Sequence, residues 1–194
     1  MTEFHYRFLL SGFFDQIVLI DRLVQQSVYE LRNPWLTFLF LKLTNLGSPV
    51  WIMLMGAILA LYWLKYRKHM QAIFVSGMLI TTWVLINYLK VLFSRNRPLQ
   101  EALTLARGYS LPSGHAMLSL VFYGFLAYLL LHKWPGAKGK AAAVLLAILV
   151  LLIGGSRIYL NVHYLSDVLA GYILGAVLLA FFIRLFRTLK GKCP

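Results

Sequence analysis

The sequence has little charge, and acidic residues are the scarcest part of it. Only 13% of its 194 residues are charged, with six Asp or Glu against 19 Lys or Arg. Soluble domains carry about a quarter charged residues, whereas 60% of this chain is hydrophobic. These values exclude an ordinary soluble domain and predict an integral membrane protein that has the bilayer as a partner.

The formal net charge of +13 would also suit a nucleic-acid-binding protein. Such proteins gather their basic residues on one polar face, whereas Lys and Arg lie between apolar runs in this chain. That distribution is typical of the loops of a membrane protein. We therefore expect no nucleic acid as a partner.

Cysteine and linker segments are nearly absent. Cys193 is the single cysteine, which excludes an internal disulfide and a cysteine-based metal cluster. No low-complexity linker and no convincing repeat divides the chain. The N-terminal stretch lacks the basic segment and the small-residue cleavage site of a secretory signal, so we expect it not to be cleaved.

Apolar runs long enough to cross about 30 Å of hydrocarbon recur along the chain. They cover residues 49–64, 71–93, 113–132, 140–159 and 163–186. The predicted fold is an all-α polytopic membrane helix bundle, with five core transmembrane helices in a core over residues 49–194.

Residues 1–48 differ from this core because charged residues interrupt their apolar pattern at helical spacing. We interpret them as N-terminal amphipathic, interfacial helices that break at Asn33-Pro34 and at Gly47-Ser48-Pro49. A sixth span near residues 6–24 is an alternative, although two aspartates would make it a poor one.

The basic residues divide the loops into two sides. Stretches 65–69, 132–140 and 184–192 are rich in Lys and Arg, and the positive-inside rule places them and the C-terminus in the cytoplasm. Residues 94–113 and the turn 157–163 then face the extracytoplasmic side.

Two polar clusters lie in the first of these outward segments. In KVLFSRNRP, Lys90 and Arg97 are two helical turns apart, so the spacing predicts a shared helical face. In LPSGHAML, Ser113, Gly114 and His115 come at the start of an apolar run. They are predicted to form a helix N-terminus, where free backbone N–H groups favour an anion.

A third cluster, GGSRIYLNVHYLSDVLAG, carries Arg157 at the end of one span and His163 and Asp167 at the start of the next. The spacing predicts that His163 and Asp167 share a helical face. Ionisable groups are costly in hydrocarbon and therefore indicate a functional site. Together the clusters supply three cations, two imidazoles, a carboxylate and a helix N-terminus, which suits phosphoryl transfer.

Several of these residues also have a structural interpretation. His163 and Asp167 could be a satisfied helix-end pair, Lys90 and Arg157 could extend to the interface, and Ser113 could be a helix N-cap. We expect Arg95 and Arg107 to be solvated loop charges, with phosphate or head-group binding as the alternative. Gly171 and Gly175 predict close helix packing inside the bundle.

The three clusters resemble the signature of the type 2 phosphatidic acid phosphatase superfamily: K-x6-RP, then PSGH, then SR-x5-H-x3-D. The resemblance covers about residues 34–185. It implies hydrolysis without a metal or other cofactor, and it implies residue roles. His163 would be the nucleophile that forms a phosphohistidine, Asp167 would orient it, and His115 would protonate the leaving group. The phosphate would be bound by Lys90, Arg97, Ser113, Gly114 and Arg157.

The resemblance also implies a lipid phosphate as the substrate. Undecaprenyl diphosphate is the first expectation, because an outward-facing site suits carrier-lipid recycling, and phosphatidylglycerophosphate and phosphatidate follow. A lipid-phosphate binding or transport protein is the alternative, but the chain lacks the paired, Gly/Pro-broken halves typical of transporters. No oligomeric state follows from these patterns.

Overall fold

A computed structural model describes residues 2–98 and 101–192, and Cys193 lies outside the described residues. Helices make up the fold, and the described residues contain no strand. The helices are α1 (Thr2–Glu30), α2 (Pro34–Asn45), α3 (Pro49–Lys65), α4 (His69–Phe93), α5 (Gly114–Lys133), α6 (Ala137–Tyr159) and α7 (Leu165–Lys192). The all-α prediction is confirmed.

Four helices, α4 to α7, are long and apolar enough to cross a membrane. α2 and α3, which are bent by 44° at their junction, would together form a fifth span. Large apolar side chains cover the outside of these helices: Ile73 is 71% exposed, Leu145 67% and Ile173 66%. A lipid environment explains such a surface, because soluble proteins rarely expose large continuous apolar patches.

The breaks on either side of α2 lie where the sequence predicts them. Asn33 and Ser48 each accept a backbone N–H of the following helix, at 2.9 and 3.2 Å, and so act as N-caps. Pro34 and Pro49 take the first helical positions, where the missing N–H costs nothing. α1 is one continuous helix that contacts α6 and α7.

α5 lies at the centre of the bundle and contacts α3, α4, α6 and α7. Gly171 and Gly175 allow α7 to approach it closely. A Cβ atom at Gly171 would lie 2.7 Å from the carbonyl oxygen of Ser113, and one at Gly175 would lie 3.1 Å from that of Met117. The predicted packing inside the bundle is therefore confirmed. It brings the N-termini of α5 and α7 side by side.

The polar helix ends meet at one end of the bundle, where α4 and α6 end and α5 and α7 begin. The segment that connects α4 to α5 folds over this end. Leu103 N donates to Leu160 O at 3.0 Å, and its side chain packs with Tyr159, Leu160 and Val162. α1 and α2 add apolar side chains to the same small cluster. This packing fixes the loop that carries the first two motifs.

Candidate active site

Residues from four helices, α3 to α6, and two connecting segments line a cavity of about 230 Å³, which we call the site cavity. Ser113 and Asp167 lie behind its wall and are completely buried. The structure thus brings the predicted site residues together. Those that line the site cavity are Lys90, Arg97, Gly114, His115, Arg157 and His163.

The first motif is not continuously helical, which corrects one prediction. α4 ends at Phe93, where Ser94 takes a left-handed φ of 45°. Arg97 therefore lies beyond the helix and shares no helical face with Lys90. The two side chains still converge, because both donate to the carbonyl oxygen of Tyr109, Lys90 at 2.6 Å and Arg97 at 3.2 Å.

The third motif corrects a second prediction. His163 lies in the turn before α7, so it does not share a helical face with Asp167. Asp167 instead reaches back from the first turn, and its Oδ2 accepts the backbone N–H of Tyr164 at 3.0 Å. This is the reciprocal half of a capping box, in which an acidic side chain satisfies a free N–H of the helix start.

The imidazole of His163 is almost completely buried and offers different partners to its two nitrogens. Nε2 lies 3.2 Å from Nη1 of Arg97. A guanidinium group only donates, so Nε2 accepts and Nδ1 carries the ring proton. Nδ1 lies 3.2 Å from Oγ of Ser110 and 3.5 Å from Oδ2 of Asp167. The Ser110 hydroxyl in turn donates to the same carboxylate oxygen.

The surroundings of His163 keep its ring neutral. Burial lowers its pKa most, the hydrogen bond to Asp167 opposes that shift, and the nearby charges of Arg97, Arg157 and Lys90 lower it further, to about 3. A neutral imidazole with its proton on Nδ1 has an unprotonated lone pair on Nε2. That is the nucleophilic form of histidine.

Arg97 is held rigidly at the wall of the site cavity. Its guanidinium bridges the loop over the site and the turn before α7 through four hydrogen bonds of 2.7 to 3.2 Å. The acceptors are the carbonyl oxygens of Arg107, Gly108, Tyr109 and Val162. Burial lowers the pKa of Arg97, and the charge of Asp167 partly offsets this.

Arg157, in the last turn of α6, is 4% exposed and is held from another helix. Its Nη1 donates to Oγ1 of Thr44 on α2 at 2.7 Å. Within the described part of the chain, its Nε atom is buried and has no hydrogen-bond partner. A buried donor without a partner is costly, so this atom indicates a place for an acceptor.

The N-terminus of α5 borders the site cavity through Gly114 and His115. Gly47, at the break between α2 and α3, lies close by, and a Cβ there would be 3.5 Å from Cδ2 of His115. Ser113 takes the N-cap position, but its side chain makes no capping hydrogen bond. In the residues that the structure describes, its Oγ is buried without a partner, while its backbone N donates to Asp167 O at 3.0 Å.

The site therefore combines three cationic side chains, a helix N-terminus and a neutral imidazole around one small space. Cations and free backbone N–H groups select an anion with several oxygens. The sequence profile of the PAP2 superfamily matches residues 71–190, which include all three motifs. The chain belongs to the PAP2 superfamily. It is a membrane lipid phosphatase of this family.

The chain is similar to two named proteins from Bacillus subtilis. It is 30% identical over 165 residues to phosphatidylglycerophosphatase B of Bacillus subtilis (strain 168). That alignment covers 84% of this chain and 80% of the relative. The structure of a transmembrane PAP2-type phosphatidylglycerolphosphate phosphatase from Bacillus subtilis superposes with a TM-score of 0.85 at 26% identity, over 95% of this chain and 94% of that one.

A second solved structure, at lower identity, shares the fold. LpxE of Aquifex aeolicus superposes with a TM-score of 0.63 at 24% identity, over 86% of this chain and 94% of that one. The PAP2 profile begins within α4, so α1, α2 and α3 lie outside the matched range. Thr44 of α2 and Gly47, in the break between α2 and α3, nevertheless belong to the surroundings of the site.

Four residues near the PAP2 site did not follow from the sequence: Asp21, Thr44, Arg95 and Ser110. The expectation that Arg95 is a solvated loop charge is wrong, because its guanidinium lies 2.7 Å from both Asp21 and Asp167. Asp21 had a detectable signal, since a carboxylate inside an apolar helix requires a partner. Thr44 and Ser110 had none, because a single hydroxyl residue is common in loops and helices.

Proposed function

We propose that this enzyme hydrolyses a lipid phosphate through a phosphohistidine formed on Nε2 of His163. The orientation of the imidazole carries the proposal: Nε2 accepts from Arg97 beside the site cavity, while Nδ1 faces Asp167. When a phosphate enters, the one N–H of Nη1 that faces Nε2 turns to a phosphate oxygen and frees the lone pair of Nε2, while the bonds to the carbonyl oxygens keep the guanidinium in place. Asp167 and Ser110 hold the proton on the opposite nitrogen.

The reaction then takes two displacements. In the first, Nε2 of His163 bonds to phosphorus and the bond from phosphorus to the lipid oxygen breaks. His115, in its protonated form, gives that oxygen a proton and becomes neutral. Asp167 stabilises the positive charge that develops on the ring of His163. In the second, a water molecule gives its proton to His115 and attacks phosphorus. The N–P bond breaks, releasing inorganic phosphate and neutral His163.

The cations of the site supply the electrostatic part of catalysis. Lys90, Arg97 and Arg157 neutralise the phosphoryl oxygens, and each can donate an N–H group to them. The buried Nε of Arg157 and Oγ of Ser113, both without a partner among the described residues, support these roles. Backbone N–H groups at Gly114 complete the phosphate site.

The apolar part of the substrate would enter from the side. Pro49 of α3 and Trp83 and Ile86 of α4 line the site cavity together with the charged groups. Trp83 is also 47% exposed on the outside of the bundle. A lipid tail can therefore remain in the bilayer while its head group reaches His163.

Phosphatidylglycerophosphate is the best-supported substrate. A relative that is 30% identical is named phosphatidylglycerophosphatase B, and the structural neighbour with a TM-score of 0.85 is named as a phosphatidylglycerolphosphate phosphatase. Undecaprenyl diphosphate is the second candidate because Arg107, an exposed cation, lines the cavity beside Arg97. Arg107 could bind a second phosphate, which phosphatidate lacks.

The site is proposed to face the extracytoplasmic side, with the C-terminus in the cytoplasm. The support is the distribution of Lys and Arg among the loops. In a Cys193→Ser background, Ala102→Cys should react with an impermeant thiol reagent in intact cells, whereas Lys68→Cys should react only after lysis. The opposite pattern would reverse the orientation.

The activity is tested by phosphate release in detergent with excess EDTA, on short-chain phosphatidylglycerophosphate, phosphatidate and undecaprenyl diphosphate. Turnover should survive the chelator and be lost in His163→Ala. His132→Ala, at the opposite end of α5, is the matched control and should be as active as the unmodified enzyme. Activity that EDTA abolishes, or that His163→Ala retains, would contradict the mechanism.

A further inference from the structure

Arg95 occupies the centre of a polar network on the far side of the His163–Asp167 pair from the site cavity. Nη1 donates to Oδ1 of Asp167 and to Oγ of Ser166, both at 2.7 Å, and Nη2 donates to Oδ2 of Asp21 at 2.7 Å. The guanidinium also lies over the ring of Tyr164, 4.2 Å from its centroid. One side chain thus joins two carboxylates from different helices.

Asp21 comes from α1 and is almost completely buried, at 2% exposed. It also holds the start of α7. Oδ1 accepts the backbone N–H of Ser166 at 2.9 Å, and Oδ2 accepts the hydroxyl of Ser166 at 2.6 Å. α1 therefore caps the helix that carries Asp167, from outside that helix.

Arg95 and Arg97 each contact one member of the His163–Asp167 pair. They are two residues apart in the segment after α4, yet Arg97 contacts Nε2 of His163 while Arg95 contacts Oδ1 of Asp167. The other oxygen of Asp167 receives the Ser110 hydroxyl and faces Nδ1 of His163. A fixed Oδ1 sets the rotation of the carboxylate and therefore the direction of Oδ2 towards the imidazole.

We propose that Arg95 and Asp21 are positioning residues for the hydrolysis, and that α1 is a functional part of the catalytic unit. The Asp21–Arg95 pair fixes Asp167 so that its Oδ2 holds the ring proton of His163 on Nδ1. This inference rests on the proposed phosphohistidine mechanism. It gives a role to an N-terminal helix that lies outside the matched range of the PAP2 profile.

The geometry of the network suits a role in orienting Asp167 as well as a role in stabilising the fold. Arg95 is a quarter exposed but both of its carboxylate partners are buried, so its loss would also lower stability, and the melting temperature is needed to separate that effect from positioning. Its planar fork, however, matches two carboxylates at once, which Lys cannot do. Burial lowers the pKa of Arg95, but Asp21 and Asp167 outweigh burial and raise it, so the fork stays charged.

The test compares Asp21→Asn, Arg95→Lys and Arg95→Gln with two matched controls, Asp15→Asn and Arg22→Gln. Asp15 and Arg22 are exposed residues of α1 and do not belong to the network. For each variant, kcat, KM, melting temperature in detergent and the rate of phosphoenzyme formation after rapid alkaline quench are measured on the substrate that the unmodified enzyme cleaves fastest.

We expect kcat to fall about 10-fold in Asp21→Asn and Arg95→Lys and about 100-fold in Arg95→Gln, by analogy with the loss of outer partners that orient metal ligands. KM should change by less than about 2-fold, because these residues do not touch the substrate. The double variant Asp21→Asn with Arg95→Gln should be no slower than Arg95→Gln, since both act through Asp167. The controls should match the unmodified enzyme.

The outcomes separate this proposal from the mechanism on which it rests. If the unmodified enzyme turns over without forming a phosphoenzyme, the phosphohistidine mechanism fails. If it forms one, and Asp21→Asn and Arg95→Gln form it at the unmodified rate, the positioning role fails. If the variants have a lower melting temperature but an unchanged kcat per folded molecule, the network is only a structural ion pair. That result would also overturn the proposal.

Discussion

Nη1 of Arg97 lies 3.2 Å from Nε2 of His163, and the same nitrogen donates to the carbonyl oxygen of Val162 at 2.7 Å. A donor-only group thus faces the nitrogen that is proposed to attack phosphorus. This relationship selects the ring tautomer before any substrate arrives. It also places a cation where the phosphoryl oxygens would lie.

Arg97→Lys should therefore lower kcat/KM strongly, although the substitution keeps the positive charge. Lysine cannot supply the fork that reaches the loop carbonyls and Nε2 together. We expect kcat/KM to fall about 100-fold, the loss typical of one oriented donor to a developing charge. Steady-state phosphate release measures kcat/KM. The control is Lys138→Arg, since Lys138 is exposed and lies at the opposite end of the bundle.

Ser110 should matter to the rate because its hydroxyl lies between Nδ1 of His163 and Oδ2 of Asp167. Ser110→Ala leaves the longer 3.5 Å contact between these residues and removes one acceptor for the ring proton. We expect kcat to fall about 10-fold with little change in KM. Ser119→Ala is the matched control, since Ser119 is also buried but donates only within α5. If the Ser110→Ala enzyme is as fast as the Ser119→Ala enzyme, Ser110 takes no part in the reaction.

The fold and the site differ in how far the sequence determines them. Apolar runs and proline breaks predict the helices, because burial and missing N–H groups act locally. Motif spacing predicts which groups line the site cavity. It does not predict Arg95 as the partner of Asp21, because their contact spans 74 residues and depends on how α1 packs against α7. Nor does it predict that His163 precedes α7, since a capping interaction of Asp167 sets that helix start.

The low pKa of His163 has a consequence for stability with a definite sign. Its pKa is lowered from 6.5 to about 3 in the fold, so below about pH 6.5 the unfolded chain binds a proton that the folded chain does not. His163 therefore favours folding above that pH, and this contribution is lost as the pH falls towards 3. The melting temperature should drop more between pH 7 and pH 5 in the unmodified enzyme than in His163→Asn. Equal drops would contradict the lowered pKa.

The contact between α7 and α5 should be necessary for the geometry of the site. A Cβ at Gly171 would meet the backbone oxygen of Ser113 at 2.7 Å, and backbone cannot move aside without shifting the N-terminus of α5. Gly171→Ala should lower both the melting temperature and phosphate release. Gly77→Ala is the control, because a Cβ there meets nothing within 4 Å. Its melting temperature should stay the same or rise, since Ala favours helix.

The central claim is that His163 takes the phosphoryl group from the substrate, and locating that group on the protein tests it most directly. Excess enzyme would be mixed with lipid phosphate, quenched in alkali at successive times within one turnover, and mapped by mass spectrometry. The account predicts a phosphoryl group on His163 that appears before free phosphate and decays as phosphate accumulates. Free phosphate that appears while His163 carries no phosphoryl group at any time, or a phosphoryl group on another residue, would contradict it.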